Sequence, residues 1–274
     1  MFLKRFAKNK LGVLGFVVVL FIFMIGFLAP LLAPHDPLKL SISNRIKPPS
    51  KANVFGTDQF GRDLYSRILH GTNISLMVGI GSVIIASLIG IFLGALGGYF
   101  GGWLDTGITL ILDTIISFPA TLLAIGLMAV MGPDLKNIIL ALAFISIPRY
   151  GRVVRGAVLS IREKEYIEAA RASGSGSLKI IAIHVLPNTM APLVIVTTIG
   201  VANAILIEAA LSFLGLGVPP PAPSWGNILS DGRNFITQAP WLTIFPGLAI
   251  SLAVLGFNTL GDGLRDVLDP KLKQ

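Results

Sequence analysis

Two acidic residues stand inside otherwise uncharged, apolar stretches of the chain, and they are the first side chains that could do chemistry. Asp113 interrupts the stretch 106–131, and Glu208 lies within the stretch 190–216. A charge at the centre of a bilayer costs about 2.5–3.5 kcal/mol on insertion scales, so such groups usually face protein or water. Either carboxyl could line a polar path, tie helices together by hydrogen bonds or be protonated. We favour helix bracing for Asp113 and keep the options open for Glu208.

The other reactive residues give little support for enzyme or metal chemistry. His35, His70 and His184 lie far apart in different loops, which gives no metal cluster at a recognisable spacing. The chain has no cysteine, which excludes disulfides, thiolate metal sites and cysteine nucleophiles. No Gly-Lys-Ser/Thr occurs, so there is no phosphate-binding loop, and no zinc-protease motif occurs. We therefore expect this chain to bind no cofactor and to leave any ATP hydrolysis to another chain.

The composition indicates the elements that must position these residues. Of 274 residues, 53% are hydrophobic and 13% are charged, whereas soluble domains carry about 25% charged residues. Six apolar runs are candidates for membrane-spanning helices, which need roughly 20 residues; five reach that length, and the fourth, of 14 residues, is shorter. They are residues 11–33, 74–97, 106–131, about 135–148, 190–216 and 241–261. The sequence thus predicts an all-α, polytopic membrane protein with six spans, in which Pro119 and Pro148 could kink their helices.

The basic residues indicate the orientation of these spans. Four precede the first run, seven lie in residues 149–179 and three follow the last run, so 14 of the 22 fall on one side. Cytoplasmic loops carry such an excess of Lys and Arg, which predicts that both termini are cytoplasmic. The net charge of +8 is explained by this topology and needs no nucleic-acid partner.

Residues 34–73 form a segment longer than a simple connection requires, on the predicted outer side. Two glycines flank short polar residues, which is typical of a turn. The candidate residues are Gly56, Thr57, Asp58, Gly61, Arg62 and Asp63. Residues 64–69 have helical spacing and predict a surface helix. The segment is either a plain connector or a docking or gating surface, and we divide the chain into residues 1–73 and a core of residues 74–274 that holds the other five spans.

Residues 156–189 form the second informative loop, on the predicted inner side. Residues 162–173 are strong helix formers with mixed charge. Gly174 is suited to end this helix in a left-handed conformation, and Leu186-Pro187-Asn188 is expected to turn the chain. This pattern predicts a rigid knob that projects from the membrane.

This second loop resembles the signature of membrane subunits of ABC importers. The signature is Glu-Ala-Ala, three residues, Gly, nine residues, Ile, one residue and Leu-Pro. Here Glu168-Ala169-Ala170, Gly174 and Leu186-Pro187 fall in place, while His184 replaces the Ile. Residues 56–63, 223–226 with 231–233, and 258–266 also resemble the dipeptide, oligopeptide and nickel permease family, so the resemblance covers nearly the whole chain.

The resemblance implies a type I ABC importer permease in a bacterial or archaeal inner membrane. Its partners would be a second homologous permease subunit, two cytoplasmic ATP-binding subunits that hold ATP and magnesium, an extracytoplasmic solute-binding protein and membrane lipid. The coupling residues, which would sit in a groove of the ATPase, are Glu168, Ala169, Ala170, Gly174, Leu186 and Pro187. We expect di- or oligopeptides as solute, with nickel or a nickel chelate as the alternative. A stand-alone membrane enzyme or channel is a third hypothesis, against which the coupling signature speaks.

Overall fold

The structure, a computed structural model, describes residues 5–268 and is built almost entirely from helices. In chain order these are α1 (Lys10–Leu32), α2 (Leu64–Phe100), α3 (Gly102–Ser117), α4 (Ala120–Met131), α5 (Leu135–Ile161), α6 (Glu165–Ala172), α7 (Ser177–Phe213), α8 (Trp225–Gly232) and α9 (Trp241–Leu268). Short 3-10 turns occupy Ile42–Asn44 and Arg233–Phe235. Within residues 5–268 the only β pairing is an isolated bridge between Thr57 and Asp63. The all-α prediction is confirmed.

Five helices are long and apolar enough to cross a membrane, namely α1, α2, α5, α7 and α9. The predicted third span, residues 106–131, is instead the pair α3 and α4, bent by 89° between them. Phe118 and Pro119 are extended at this break. The residue before a proline is biased away from helical backbone, and proline donates no hydrogen bond, so the helix ends there. The six predicted spans therefore correspond to five continuous helices and one bent pair.

The second span begins earlier than its apolar run. The predicted surface helix over residues 64–69 is the first part of α2, whose N-terminal cap is Asp63, and Asp63 accepts the backbone N–H of Ser66 at 2.8 Å. At 1.5 Å per residue the 37 residues of α2 are about 55 Å long, well beyond the roughly 30 Å of a hydrocarbon core. The predicted division after residue 73 thus falls inside a continuous helix.

The centre of the bundle is the close crossing of α2 with α5. A β-carbon added at Gly90 would lie 2.8 Å from the backbone nitrogen of Gly151, and one at Gly98 would lie 3.0 Å from Val158 Cβ. Small residues at these positions let the two backbones approach, which is how helices associate where no water drives them together. The ring of Tyr150 is fully buried beside this crossing.

The start of α1 and the end of α9 lie at the same end of the bundle. Asn9 Nδ2 donates a hydrogen bond of 2.8 Å to Asp266 Oδ2, and Gly15 packs against the backbone of Leu260. This agrees with an even number of crossings between the two termini. Three of the basic residues used for the orientation, Lys4, Lys271 and Lys273, lie outside the described residues.

Candidate functional site: a polar loop and a buried charge cluster

The loop that carries the Glu-Ala-Ala sequence, residues 162–176, is called the polar loop below. Its helix α6 ends at Ala172, and Gly174 follows with a φ of +81°, a left-handed conformation that favours glycine. The Gly174 N–H donates to the carbonyl of Arg171, and the Ser175 N–H donates to that of Ala170. These bonds satisfy carbonyls that the helix end would otherwise leave free. The predicted glycine end of the helix is confirmed.

One apolar and one basic side chain hold α6 against the bundle. Ile167 is completely buried. The guanidinium of Arg171 lies 5.1 Å from the ring centre of Tyr99, near the end of α2, and its Nε is 3.5 Å from the Tyr99 hydroxyl. Arg162 Nη1 donates to the carbonyl of Gly98 at 3.0 Å. The polar loop is therefore fixed to the end of α2 and does not hang as a flexible connector.

The opposite face of α6 is free of its own chain. Glu168 and Ala169 are exposed, as is Leu178 just beyond the loop, while Ala170 is partly buried. Six of the 12 residues from 162 to 173 are charged. The result is a short, firmly held helix with a small-residue and acidic surface that another protein could contact.

The predicted turn at Leu186-Pro187 is wrong. The backbone of Ile181–Val185 is π-helical and continues directly into the helix that begins at Leu186, so α7 runs unbroken from the polar loop into the membrane. The Leu186 N–H donates to the carbonyl of Ile181, five residues earlier. Proline has no N–H to donate, and its ring crowds the preceding turn of a helix. The wider π-helical turn before Pro187 gives the ring room. Asn188 Nδ2 also donates to the carbonyl of His184 at 2.7 Å.

At the other end of the bundle, the turn of residues 56–63 folds around one carboxylate. Gly56 and Gly61 have φ values of +80° and +72°. Asp58 Oδ1 accepts the backbone N–H groups of Phe60 at 2.8 Å and of Arg62 at 2.9 Å. Such a side chain replaces a backbone acceptor and fixes a tight turn.

Asp58 also belongs to a cluster of four charges, of which three are buried and the fourth, Asp231, is 42% exposed. Its Oδ2 lies 2.6 Å from Arg62 Nε and 3.6 Å from Arg67 Nε. The same two arginines face Asp231 of α8, at 3.5 Å from Arg62 and 4.0 Å from Arg67. Asp58 and the two arginines are less than 10% exposed. The cluster joins the 56–63 turn, the first turn of α2 and the end of α8.

The burial of the 56–63 turn limits which of its residues a partner protein can contact. All six predicted residues of the turn are buried: Gly56, Thr57, Asp58, Gly61, Arg62 and Asp63. A docked protein could reach the half-exposed Phe60 beside them, but not these side chains. Docking or gating by the turn stays a prediction, and any direct docking contact would involve its rim.

The two acidic residues of the apolar stretches have different surroundings. Asp113 Oδ1 pairs with Arg152 Nη2 at 2.5 Å, which connects α3 to α5, and both side chains are about half exposed. This is the arrangement that helix bracing requires. Glu208 is completely buried in α7 and accepts hydrogen bonds from Ser212 and Ser224.

Sequence reasoning missed Arg67 and the pair of Asp105 with Arg155. Asp105 accepts two hydrogen bonds from Arg155, of 2.5 and 2.7 Å, which join α3 to α5. Arg67 carried no local signal, because its acidic partners Asp58 and Asp231 lie outside the first turn of α2. The three histidines stay apart, and no group of three potential metal ligands occurs among the described residues.

The described residues form an all-helical bundle in which five helices are long and apolar enough to cross a membrane, with a polar loop held firmly at one end, and this defines a helical membrane protein. Residues 67–274 match the family described as binding-protein-dependent transport system inner membrane component, and residues 1–49 match the N-terminal transmembrane domain of oligopeptide transport permease C. The chain belongs to this family of transport permease subunits.

Relatives of similar length support the assignment. The chain is 47% identical to the dipeptide transport system permease protein DppC of Alkalihalophilus pseudofirmus, over 98% of this chain and 89% of the relative. It is 42% identical to the di/tripeptide transport system permease protein DppC of Pseudomonas aeruginosa, over 99% and 92%. It is 44% identical to the glutathione transport system permease protein GsiD of Pectobacterium atrosepticum, over 99% and 91%.

The fold also resembles a solved transporter. An inward-facing structure of the MetNI methionine ABC transporter matches with a TM-score of 0.60 at 21% identity, over 74% of this chain and 97% of that one. At this identity the likeness concerns the fold alone. The predicted fold, that of an ABC importer permease, is confirmed.

Proposed function

We propose that this chain and a second, homologous permease subunit form the translocation path for di- or oligopeptides in an ATP-driven importer. The names of its relatives support peptides, since they refer to dipeptides, di- and tripeptides and glutathione. Nickel, the alternative solute, is not favoured by these names. An extracytoplasmic solute-binding protein delivers the peptide, and both termini lie in the cytoplasm.

The observation that carries the coupling proposal is the combination of a fixed and a free face on α6. Ile167 and Arg171 hold the helix to the bundle, while Glu168 and Ala169 point away from it. A groove in a cytoplasmic ATP-binding subunit can receive this free face. Because the helix is fixed on its other side, a push on it moves the spans and not the loop alone.

The chemistry of the cycle belongs to the partners. The sequence has no phosphate-binding loop, so ATP and magnesium are held by two cytoplasmic ATP-binding subunits. Closure of these subunits displaces the polar loops of the two permeases. The displacement changes the opening of the path between the two sides of the membrane.

The test combines two substitutions, Glu168→Ala and Gly174→Pro. Proline fixes φ near −65°, which the φ of +81° at Gly174 excludes, and it removes the N–H that donates to Arg171. In proteoliposomes that contain the complete transporter, uptake of a labelled dipeptide should fall at least about tenfold, the effect of losing about 1.4 kcal/mol of coupling. The variant should still insert into the membrane.

The matched control is Glu163→Ala with Gly176→Pro. Glu163 is 77% exposed, and Gly176 has a φ of −65° and open space around it, which proline accepts. The control makes the same exchanges in the same loop and should keep uptake within about twofold. Normal uptake by the test variant would contradict the coupling role. Failure of the unchanged chain to capture any ATP-binding subunit on co-expression would contradict the importer itself.

A further inference from the structure

We propose that Glu208 is a positioning residue, which fastens α8 to α7 and so passes movement of the polar loop to the extracytoplasmic end of the subunit. The proposal rests on the proposed function, because it takes the polar loop as the place where the ATP-binding subunits act. It goes beyond that function by assigning a mechanical connection between the two ends of the chain.

The bond that forms the connection is fully buried. Glu208 Oε1 accepts hydrogen bonds from Ser212 Oγ at 2.8 Å and from Ser224 Oγ at 2.9 Å. Ser212 lies one turn further along α7, whereas Ser224 is the N-terminal cap of α8. Glu208 and Ser224 have no exposed surface. Breaking the bond between the two helices is costly, since the buried Ser224 hydroxyl then loses its acceptor in a place that water does not reach.

Ser224 is the point at which α8 is held to two spans. Its hydroxyl accepts the N–H of Asn227, and the Asn227 side chain accepts the N–H of Ser224, which closes a capping box. The next residue, Trp225, donates its N–H to Ser75 Oγ and its indole N–H to the carbonyl of Ile68, each at 3.1 Å. The first turn of α8 is thus fixed to α7 through Glu208 and to α2 through Trp225.

The other end of α8 is fixed to the outer turn. Asp231 faces Arg62 and Arg67 in the buried charge cluster. A displacement of the first turn of α8 therefore pulls on the residues that hold the 56–63 turn.

The path from the polar loop to Glu208 is a single element. α7 runs without a break from Ser177 to Phe213, so Glu208 lies about 46 Å along the helix from the polar loop. A packed helix that is fixed at both ends can carry such a movement. The side chain of Glu208 has no exposed surface, and its second oxygen, Oε2, has no hydrogen-bond partner among the described residues, so a solute does not reach the carboxyl in this structure.

The experiment compares Glu208→Gln with Glu208→Leu in the complete transporter, with its binding protein and ATP-binding subunits in lipid nanodiscs. Glutamine keeps an oxygen in place of Oε1, whereas leucine has a similar volume and no acceptor. The position of α8 is measured by a disulfide between Gly71→Cys and Ile228→Cys. The chain has no native cysteine, and a β-carbon at Gly71 would lie 3.5 Å from Ile228 Cδ1 without a clash.

Glu208→Gln should form the disulfide like the unchanged chain and keep the stimulation of ATPase activity by loaded binding protein within about threefold. Glu208→Leu should form the disulfide more slowly, because only Trp225 and Asp231 then hold α8 in place, and should lose at least about tenfold of the stimulation, with basal ATPase activity unchanged. Ser212→Ala is the control, since it removes only the bond within α7. If Glu208→Leu fails to assemble, Ser224→Ala breaks the same joint from the side of α8 and should give the same losses.

Two results would overturn the proposal. One is a normal disulfide and normal stimulation in Glu208→Leu or, if that variant fails to assemble, in Ser224→Ala. The other is loss of the ATPase stimulation in Glu208→Gln with a normal disulfide, which would mean that the charge itself is used. Both are distinct from failure of the proposed function, in which the unchanged chain would show no stimulation by the binding protein.

Discussion

Removal of the Asp58 carboxylate should unfold the outer end of the subunit. In Asp58→Ala, Arg62 and Arg67 would stay buried with only Asp231 beside them, at 3.5 and 4.0 Å. The N–H groups of Phe60 and Arg62, which now donate to Asp58, would also lose their acceptor. The substitution therefore breaks a buried ion cluster and a turn at once.

The structure gives an approximate size for this effect. Removing one partner of a buried ion pair costs about 3–5 kcal/mol, because the remaining charge stays uncompensated in a poorly solvated place. Arg62 is 7% and Arg67 is 2% exposed, so neither can turn out into water without local unfolding. For a chain of this size, 1 kcal/mol corresponds to roughly 2–4 °C in melting temperature, so we expect a fall of roughly 6–20 °C.

The assay is the fraction of detergent-solubilised complex that survives heating, measured by size-exclusion chromatography. Asp36→Ala is the matched control, since Asp36 lies in the same segment, is exposed and accepts only the N–H of Leu38. Its melting temperature should stay within about 2 °C of the unchanged chain. A similarly small change in Asp58→Ala would refute the view that this cluster holds the outer end together.

Two further predictions concern single side chains. Burial raises the pKa of Asp231, although Arg67 and Arg62 oppose this, so the folded state binds its proton more tightly than the unfolded chain does. This stabilisation is present at low pH and is lost as pH rises through the raised pKa, so lowering the pH from 7 to about 4, the ordinary range of an Asp carboxyl, should stabilise Asp231→Asn less than the unchanged chain, and equal gains would contradict it. Ile167→Ala should loosen α6 by about 2–5 kcal/mol, seen as faster hydrogen exchange in residues 165–172, and unchanged exchange would show that Arg171 alone holds the helix.

Local signals predicted the parts of the site that depend on neighbouring residues. The end of α6 at Gly174 follows from the demand of a left-handed backbone for glycine, and the apolar runs follow from the thickness of the bilayer. The start of α2 was placed ten residues too late, because an apolar run marks the lipid-facing part of a helix. The apolar run does not show that the helix begins earlier, at Leu64, where Asp63 caps it.

Contacts between distant segments could not be predicted in this way. Asp105 and Arg155 are 50 positions apart, and Asp58 and Asp231 meet only because α8 folds back onto the first turn of α2. Their pairing depends on how the helices cross, which no short-range pattern encodes.

The error at Leu186-Pro187 has a mechanical consequence. A turn there would have separated the polar loop from the membrane by a joint that could bend. The π-helical Ile181–Val185 removes that joint and keeps α7 continuous through a proline. Because the wider turn accommodates the proline without redirecting the chain, a displacement that reaches the start of α7 through residues 173–176 is carried by the helix that bears Glu208. Pro187 of the signature therefore shapes the connection between the polar loop and the span. This role does not require a direct contact with the ATPase.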